Sequence, residues 1–242
     1  STKQPPTPPA PELPAKTPTP SEHKQPEVEA ITQYNLAIQL EANGKLPEAV
    51  ALYQKAADQK LREAEYNVGY MYAHGEGLPE DDAKAILWFR KAAVQGMPEA
   101  QQMMGIFYEQ GRGEPLDFEQ AADWFRKAAE QGYPDAQYHL GYLHVAGKGV
   151  PANNDEAAKW FLRAAENGVE DAQFQIGFFL ARGEGVEQDV VEGYKWLSIA
   201  SMNKHEGAKK ARAELAPKIS SDSRRDGQTL ANEFMGTNRR KP

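Results

Sequence analysis

The sequence predicts an all-α solenoid of helix-turn-helix repeats, and three observations predict it. First, the same residue classes return every 36 positions from Ala64 onward. Ala64, Ala100, Ala136, Ala172 and Ala208 form one series, Gly69, Gly105, Gly141 and Gly177 a second, and Trp88, Trp124, Trp160 and Trp196 a third. Second, the apolar residues within each unit fall at helical rather than strand spacing. Third, helix-start and helix-stop signals alternate along every unit.

The chain has 242 residues, 40% of them hydrophobic, but the apolar residues are unevenly spread. Residues 1–29 are rich in Pro, Thr, Lys and Glu and hold almost no core-forming side chains, so they cannot bury enough apolar area to offset the entropy of ordering. A disordered, proline-rich linker is expected there. At about 3.1 Å per residue in polyproline II such an arm reaches on the order of 90 Å, which suits a tether.

Residues 30–61 hold a short unit in which Ala49, Ala56 and Ala57 align with Ala85, Ala92 and Ala93, and Asn43-Gly44 makes the turn. Four full units follow at 62–97, 98–133, 134–169 and 170–205. In the unit 98–133, Pro98 sits at a helix start, where its missing N–H costs nothing, and Glu99 complements the positive helix end. Gly111 stops this helix A in a left-handed conformation, and Asp117 caps helix B. Asp81, Asn153 and Asp189 take the capping role in the other units. The glycines at 69, 105, 141 and 177 lie inside helix A, where Gly costs about 1 kcal/mol relative to Ala, so they predict a close approach of helix B. Trp and Phe of helix B are expected to cover that gap. The four Trp residues are accordingly placed in the core, with a cost of about 3–5 kcal/mol for Trp124→Ala. Beyond Met202 the pattern becomes polar. Residues 206–242 are expected to form capping helices, the last near 221–235 lying over the end through Leu230 and Phe234, and a basic tail at Arg239, Arg240 and Lys241.

Stretches such as EAEYNVGYMYAHGEGL, PDAQYHLGYLHVAGKGV and DAQFQIGFFLARGEGV, each followed by D/N-x-x-x-A-x-x-W-F-x-x-A-A or a close variant, resemble the Sel-one-like repeat of the tetratricopeptide-like superfamily. The resemblance covers residues 62–204, and residues 30–60 look closer to an ordinary tetratricopeptide repeat. Glu114 and Pro115, Gly193 and Leu197 depart from the pattern. The resemblance implies a right-handed superhelix used as an adaptor in bacterial envelope assembly, signalling or host interaction, or as an inhibitor of a toxic effector in the periplasm. It also implies that helix A lines a concave groove. Matching units by register puts there Tyr66, Tyr70 and His74, then Gln102, Met103, Ile106 and Gln110, then Tyr138, His139 and Tyr142, and finally Phe174, Gln175, Phe178 and Arg182. The row Tyr70, Ile106, Tyr142, Phe178 either faces a partner or fills space between repeats. Tyr suits a partner, since it buries a large ring and keeps a hydrogen-bonding tip.

Other function classes find little support. A formal charge of −7 argues against a nucleic-acid binder. No cysteine is present for disulfides or metal, and His23, His74, His139, His144 and His205 show no metal-ligand spacing. Ser201-Met202-Asn203-Lys204 matches a Ser-x-x-Lys element, but no Lys-Thr-Gly follows, and Ser201 occupies a small-residue slot. The paired loop glycines, such as Gly75 and Gly77, do not extend to a phosphate-binding loop. No catalytic residue, cofactor or metal is therefore expected. The expected function is a non-enzymatic adaptor or scaffold in the bacterial periplasm or envelope, with a cytoplasmic location as the alternative, and the expected partner is another protein or peptide. A membrane tether upstream of Ser1 is compatible with the arm, and the absence of Asn-x-Ser/Thr sites favours a bacterial source. The second reading is a periplasmic immunity-type inhibitor of a secreted toxin enzyme. The oligomeric state is left open.

Overall fold

A computed structural model describes residues 24–238 of the chain, and among them it is an all-α solenoid of antiparallel helix pairs. The A helices are α1 (Lys24–Ala42), α3 (Arg62–His74), α5 (Pro98–Gln110), α7 (Pro134–Ala146) and α9 (Glu170–Arg182). The B helices are α2 (Leu46–Asp58), α4 (Asp82–Val94), α6 (Phe118–Glu130), α8 (Asn154–Glu166) and α10 (Val190–Met202). Helices α11 (Glu206–Leu215) and α12 (Ser221–Asn238) follow, joined through a 3-10 turn at Ala216–Lys218.

Each boundary has a local cause. The Asp117 carboxylate accepts the Glu119 and Gln120 N–H groups at 3.0 Å and so starts α6. Gly111, at φ 68°, ends α5 in the left-handed region. One boundary departs from the sequence expectation. Helix α1 begins at Lys24, so the last six residues assigned to the linker are helical. Pro26 lies in the first turn, where backbone N–H groups have no intrahelical acceptor, and Glu27 favours the positive helix end. The rest of the arm, residues 1–23, and the basic tail, Arg239–Lys241, lie outside the described residues.

The two helices of a pair meet at the interior glycine. A Cβ on Gly105 would lie 2.6 Å from the Phe125 ring, and Gly69 and Gly141 stand in the same relation to Phe89 and Phe161. In the last pair Leu197 fills the Phe slot against Gly177, and Gly193 lets α10 approach Ala181 of α9. This corrects the placement of the tryptophans. Phe89, Phe125 and Phe161 are buried, whereas Trp88, Trp124 and Trp160 are half-buried, pack against the preceding cluster of the core, and carry Lys91, Lys127 and Arg163 over their outer faces. Adjacent residues on a helix point about 100° apart, so only one of the two aromatics can face helix A. Trp196 alone is buried, at 2% exposure, because Phe234 of α12 packs edge-on against it at 5.1 Å.

Consecutive repeats are tied by two further devices. The second glycine of each long loop rests on the start of the preceding B helix: a side chain on Gly113 would collide with the Asp82 carbonyl, and one on Gly149 with that of Phe118. At the far end Gly227 of α12 takes the equivalent seat over Val191. A chain of buried amides forms the second device. Gln101, Gln137 and Gln173 donate to the carbonyls of Ala93, Ala129 and Ala165. Gln101 then accepts from Gln131, and Gln173 from Asn203. The Gln137 Oε1 has no such donor, because the Asn167 amide donates instead to the Arg163 carbonyl at 2.9 Å. Glu65 occupies the first slot at 3% exposure and accepts from Gln95 at 2.7 Å.

Burial raises the Glu65 pKa. Between the ordinary carboxylate range and that raised value the folded chain therefore binds more protons than the unfolded one, and stability falls as pH rises through the window. Glu65→Gln is expected to raise the thermal midpoint at pH 7, with the gain vanishing below about pH 4; a pH-independent gain would contradict the assignment. Asn167→Gln should add about 1 kcal/mol by supplying the missing donor to Gln137. Phe125→Ala should cost about 3–5 kcal/mol and Trp124→Ala distinctly less. Equal losses in urea unfolding would place both rings alike.

Candidate functional site

Polar side chains link α5 to α7 and α9 to α11. Glu109 of α5 approaches Nδ1 of His139 on α7 at 3.5 Å, and Asp171 of α9 meets Nε2 of His205, at the start of α11, at 3.0 Å. The Nδ1 atom of His205 accepts the Ala208 N–H, which leaves Nε2 to donate to Asp171. The same imidazole stacks on Phe174, with ring centroids 4.7 Å apart.

The register-derived residues all fall on A helices, but at different depths. Tyr70 and Tyr142 are the most open rings, 38% and 41% exposed. Tyr70 stacks with His74 at 4.0 Å. Tyr66 and Met103 pack on the cluster around Phe89, Ile106 on that around Phe125, and Tyr138 and Phe178 on that around Phe161. These side chains are half-buried, so each serves the seam between repeats and shows only one edge. Phe174 packs beside Leu197 and Ala208. His139 lies flat on Phe125, at 4.6 Å and 4°. Gln102 and Gln175 are half-buried and Gln110 is exposed. Arg182 pairs with Glu184 at 3.1 Å and lies over the Phe178 ring.

Electrostatics on this face are acidic. Burial, followed by the neighbouring Tyr133, Glu99 and Tyr70, holds the Tyr66 hydroxyl above the ordinary phenol range. Burial and then Asp171, Tyr142 and Glu109 do the same for Tyr138. Both phenols, as at the ordinary phenol value, are protonated at neutral pH and remain hydrogen-bond donors.

Two hollows open along the face. One, of about 240 Å³, is lined by Glu41, Tyr66, Asn67, Tyr70 and Met71; the other, of about 420 Å³, lies between Phe178, Arg182 and Gln188 and the α11 side chains Ala211, Glu214 and Leu215. Sequence reasoning found the aromatic walls of the first but missed Glu41, which belongs to the divergent first unit. It also missed the buried amide chain, although Ala-Glu or Ala-Gln at 64–65, 100–101, 136–137 and 172–173 carried that signal in plain register. The Ser201 and Lys204 pair belongs to the turn that ends α10, where the Lys204 N–H donates to the Ser201 carbonyl at 3.1 Å. Among the described residues no group of three His, Asp or Glu side chains could hold a metal ion, and no helix is long and apolar enough to cross a membrane.

Helix pairs locked by glycine, capped by Asp or Asn and stacked with an open A-helix face define a repeat solenoid of the kind that mediates protein–protein interaction. The Sel1 repeat model matches residues 30–61, 62–97, 98–133, 134–169 and 170–205, and the chain belongs to the Sel1 repeat family. Among solved structures it is similar to a Sel1 repeat protein from Oxalobacter formigenes, with 32% identity over 84% of this chain and 84% of that one and a TM-score of 0.73. It is also similar to a protective antigen present in uropathogenic Escherichia coli strains that displays an SLR fold, with 31% identity, 88% of this chain covered and a TM-score of 0.77. The match spans 47% of that antigen's length. No curated protein matches the chain.

Proposed function

We propose that this protein is a non-enzymatic adaptor of the bacterial cell envelope that binds a protein partner along its A-helix face. The observation that carries the proposal is the set of half-open aromatic side chains that α3, α7 and α9 present there, with Met103 and Ile106 of α5 between them. Tyr66, Tyr138, Phe174 and Phe178 offer large rings already fixed by packing, so little side-chain entropy is lost when a partner covers them, and Tyr70 and Tyr142 add the most open rings beside them. The Tyr66 and Tyr138 hydroxyls, protonated at neutral pH like any phenol, supply two hydrogen-bond donors on the same face. An envelope location is supported by the proline-rich composition of residues 1–23, which suits a spacer, and by the similarity to an antigen of a pathogenic bacterium.

The test is affinity capture from source-cell extract with the full chain, beside the double variant Tyr70→Ala and Tyr142→Ala. These two rings are the most exposed, so the variant should keep the wild-type unfolding midpoint. A partner retained by the wild type and weakened at least about tenfold by the variant is the expected result. Equal capture by both would move binding off the A-helix face. If the captured protein is an enzyme silenced in fixed stoichiometry, the protein is an inhibitor and not an adaptor.

A further inference from the structure

Counting the short unit 30–61 as repeat one, the hollow in repeat two (62–97) has an unanswered acid in its wall. Glu41 is the penultimate residue of α1, at the negative end of that helix, and the last turn of α1 contains no basic residue. One carboxylate oxygen accepts the Tyr53 hydroxyl at 2.6 Å, leaving the other without a hydrogen-bonded cation among the described residues. Tyr66 and Tyr70, one turn apart on α3, stand beside it with Asn67 and Met71.

Two repeats later the same arrangement recurs with an occupant built in. Tyr138 and Tyr142 replace Tyr66 and Tyr70, and Glu109, again the penultimate residue of its A helix, replaces Glu41. His139, which stands where repeat two has Asn67, faces Glu109 at 3.5 Å and lies on the Phe125 ring. In repeat four the chain answers its own acid with a nitrogen base backed by aromatic rings. In repeat two that place is left to an uncharged Asn.

Resting on the reading of the A-helix face as the binding surface, we propose that the Glu41–Tyr66–Tyr70 hollow receives the cationic head of a lysine or arginine side chain from an extended segment of the partner. The volume of about 240 Å³ suits one such head with its aliphatic stem. Tyr rings beside a carboxylate combine cation–π attraction with a charge-assisted hydrogen bond. Met71 and the ring edges receive the methylenes, and the formal charge of −7 favours approach of a basic segment.

The test titrates the full chain with fluorescein-labelled octalysine, octaglutamine and octaglutamate at physiological salt, followed by anisotropy. Octalysine alone should bind saturably. Glu41→Gln, which keeps the acceptor for Tyr53, and Asn67→His, which copies repeat four, should each weaken it at least about fivefold. Glu119→Gln, on the exposed start of α6, should not weaken it. Thermal midpoints confirm that each variant is folded. Equal weakening by Glu119→Gln would show diffuse charge attraction and overturn the pocket, as would octalysine binding indifferent to Glu41 and Asn67. Loss of the captured partner in the Tyr70 and Tyr142 variant, together with no octalysine binding, would leave the adaptor reading standing and remove this one alone.

Discussion

The contact on which everything else depends is the phenylalanine ring seated on a glycine inside each helix pair. Without a Cβ at Gly69, Gly105 or Gly141, the backbone of helix A comes within reach of the ring below it. That approach brings the small residues Ala85, Ala121 and Ala157 into the same close-packed layer. The propensity cost of glycine in a helix, about 1 kcal/mol, is offset by burial of a whole aromatic ring, about 1.5–3 kcal/mol. The other side chains of helix A then close the seam to the next repeat with one edge and stay half-open with the other, as Tyr66, Ile106, Tyr138 and Phe178 do.

Apolar packing already joins neighbouring repeats, as where Phe107 meets Phe89 edge-on at 5.3 Å, and the amides of Gln101, Gln137 and Gln173 add directional bonds to it. Glu65 shows what happens when the slot is filled by an acid. The same geometry is kept, with burial working against its charge.

Much of this was legible in the sequence because repetition removes ambiguity. One Asp before an apolar run is a weak helix start, whereas Asp81, Asp117, Asn153 and Asp189 at constant spacing leave no competing explanation, and all four side chains do cap. Periodicity could not distinguish Trp124 from Phe125, since neighbours in a repeat share every period, and only the packing decides which turns inward. The start of α1 was hidden because Pro26 argues for a linker by composition yet is tolerated in a first helical turn. Glu41 was invisible for the opposite reason. The first unit lacks the long loop, so the residues ahead of that loop, on α1, fall out of the 36-residue register and no series points to them. The turn residues Lys60 and Lys204 likewise adopt positive φ where the central units use glycine, a substitution confined to the two ends of the array.

The loop glycines seated on the preceding B helix bear on recognition in a way their position does not suggest. Gly77, Gly113, Gly149 and Gly185 act as spacers of zero thickness between one unit and the next, and so fix the pitch at which units accumulate. The distance between Tyr70 and Tyr142, two units apart, is the sum of those pitches. On the proposed function, the stride of a partner along this face is thus set by residues outside the proposed contact set. A change at one of these loop seats alters the spacing of Tyr70 and Tyr142 while leaving both side chains as they are.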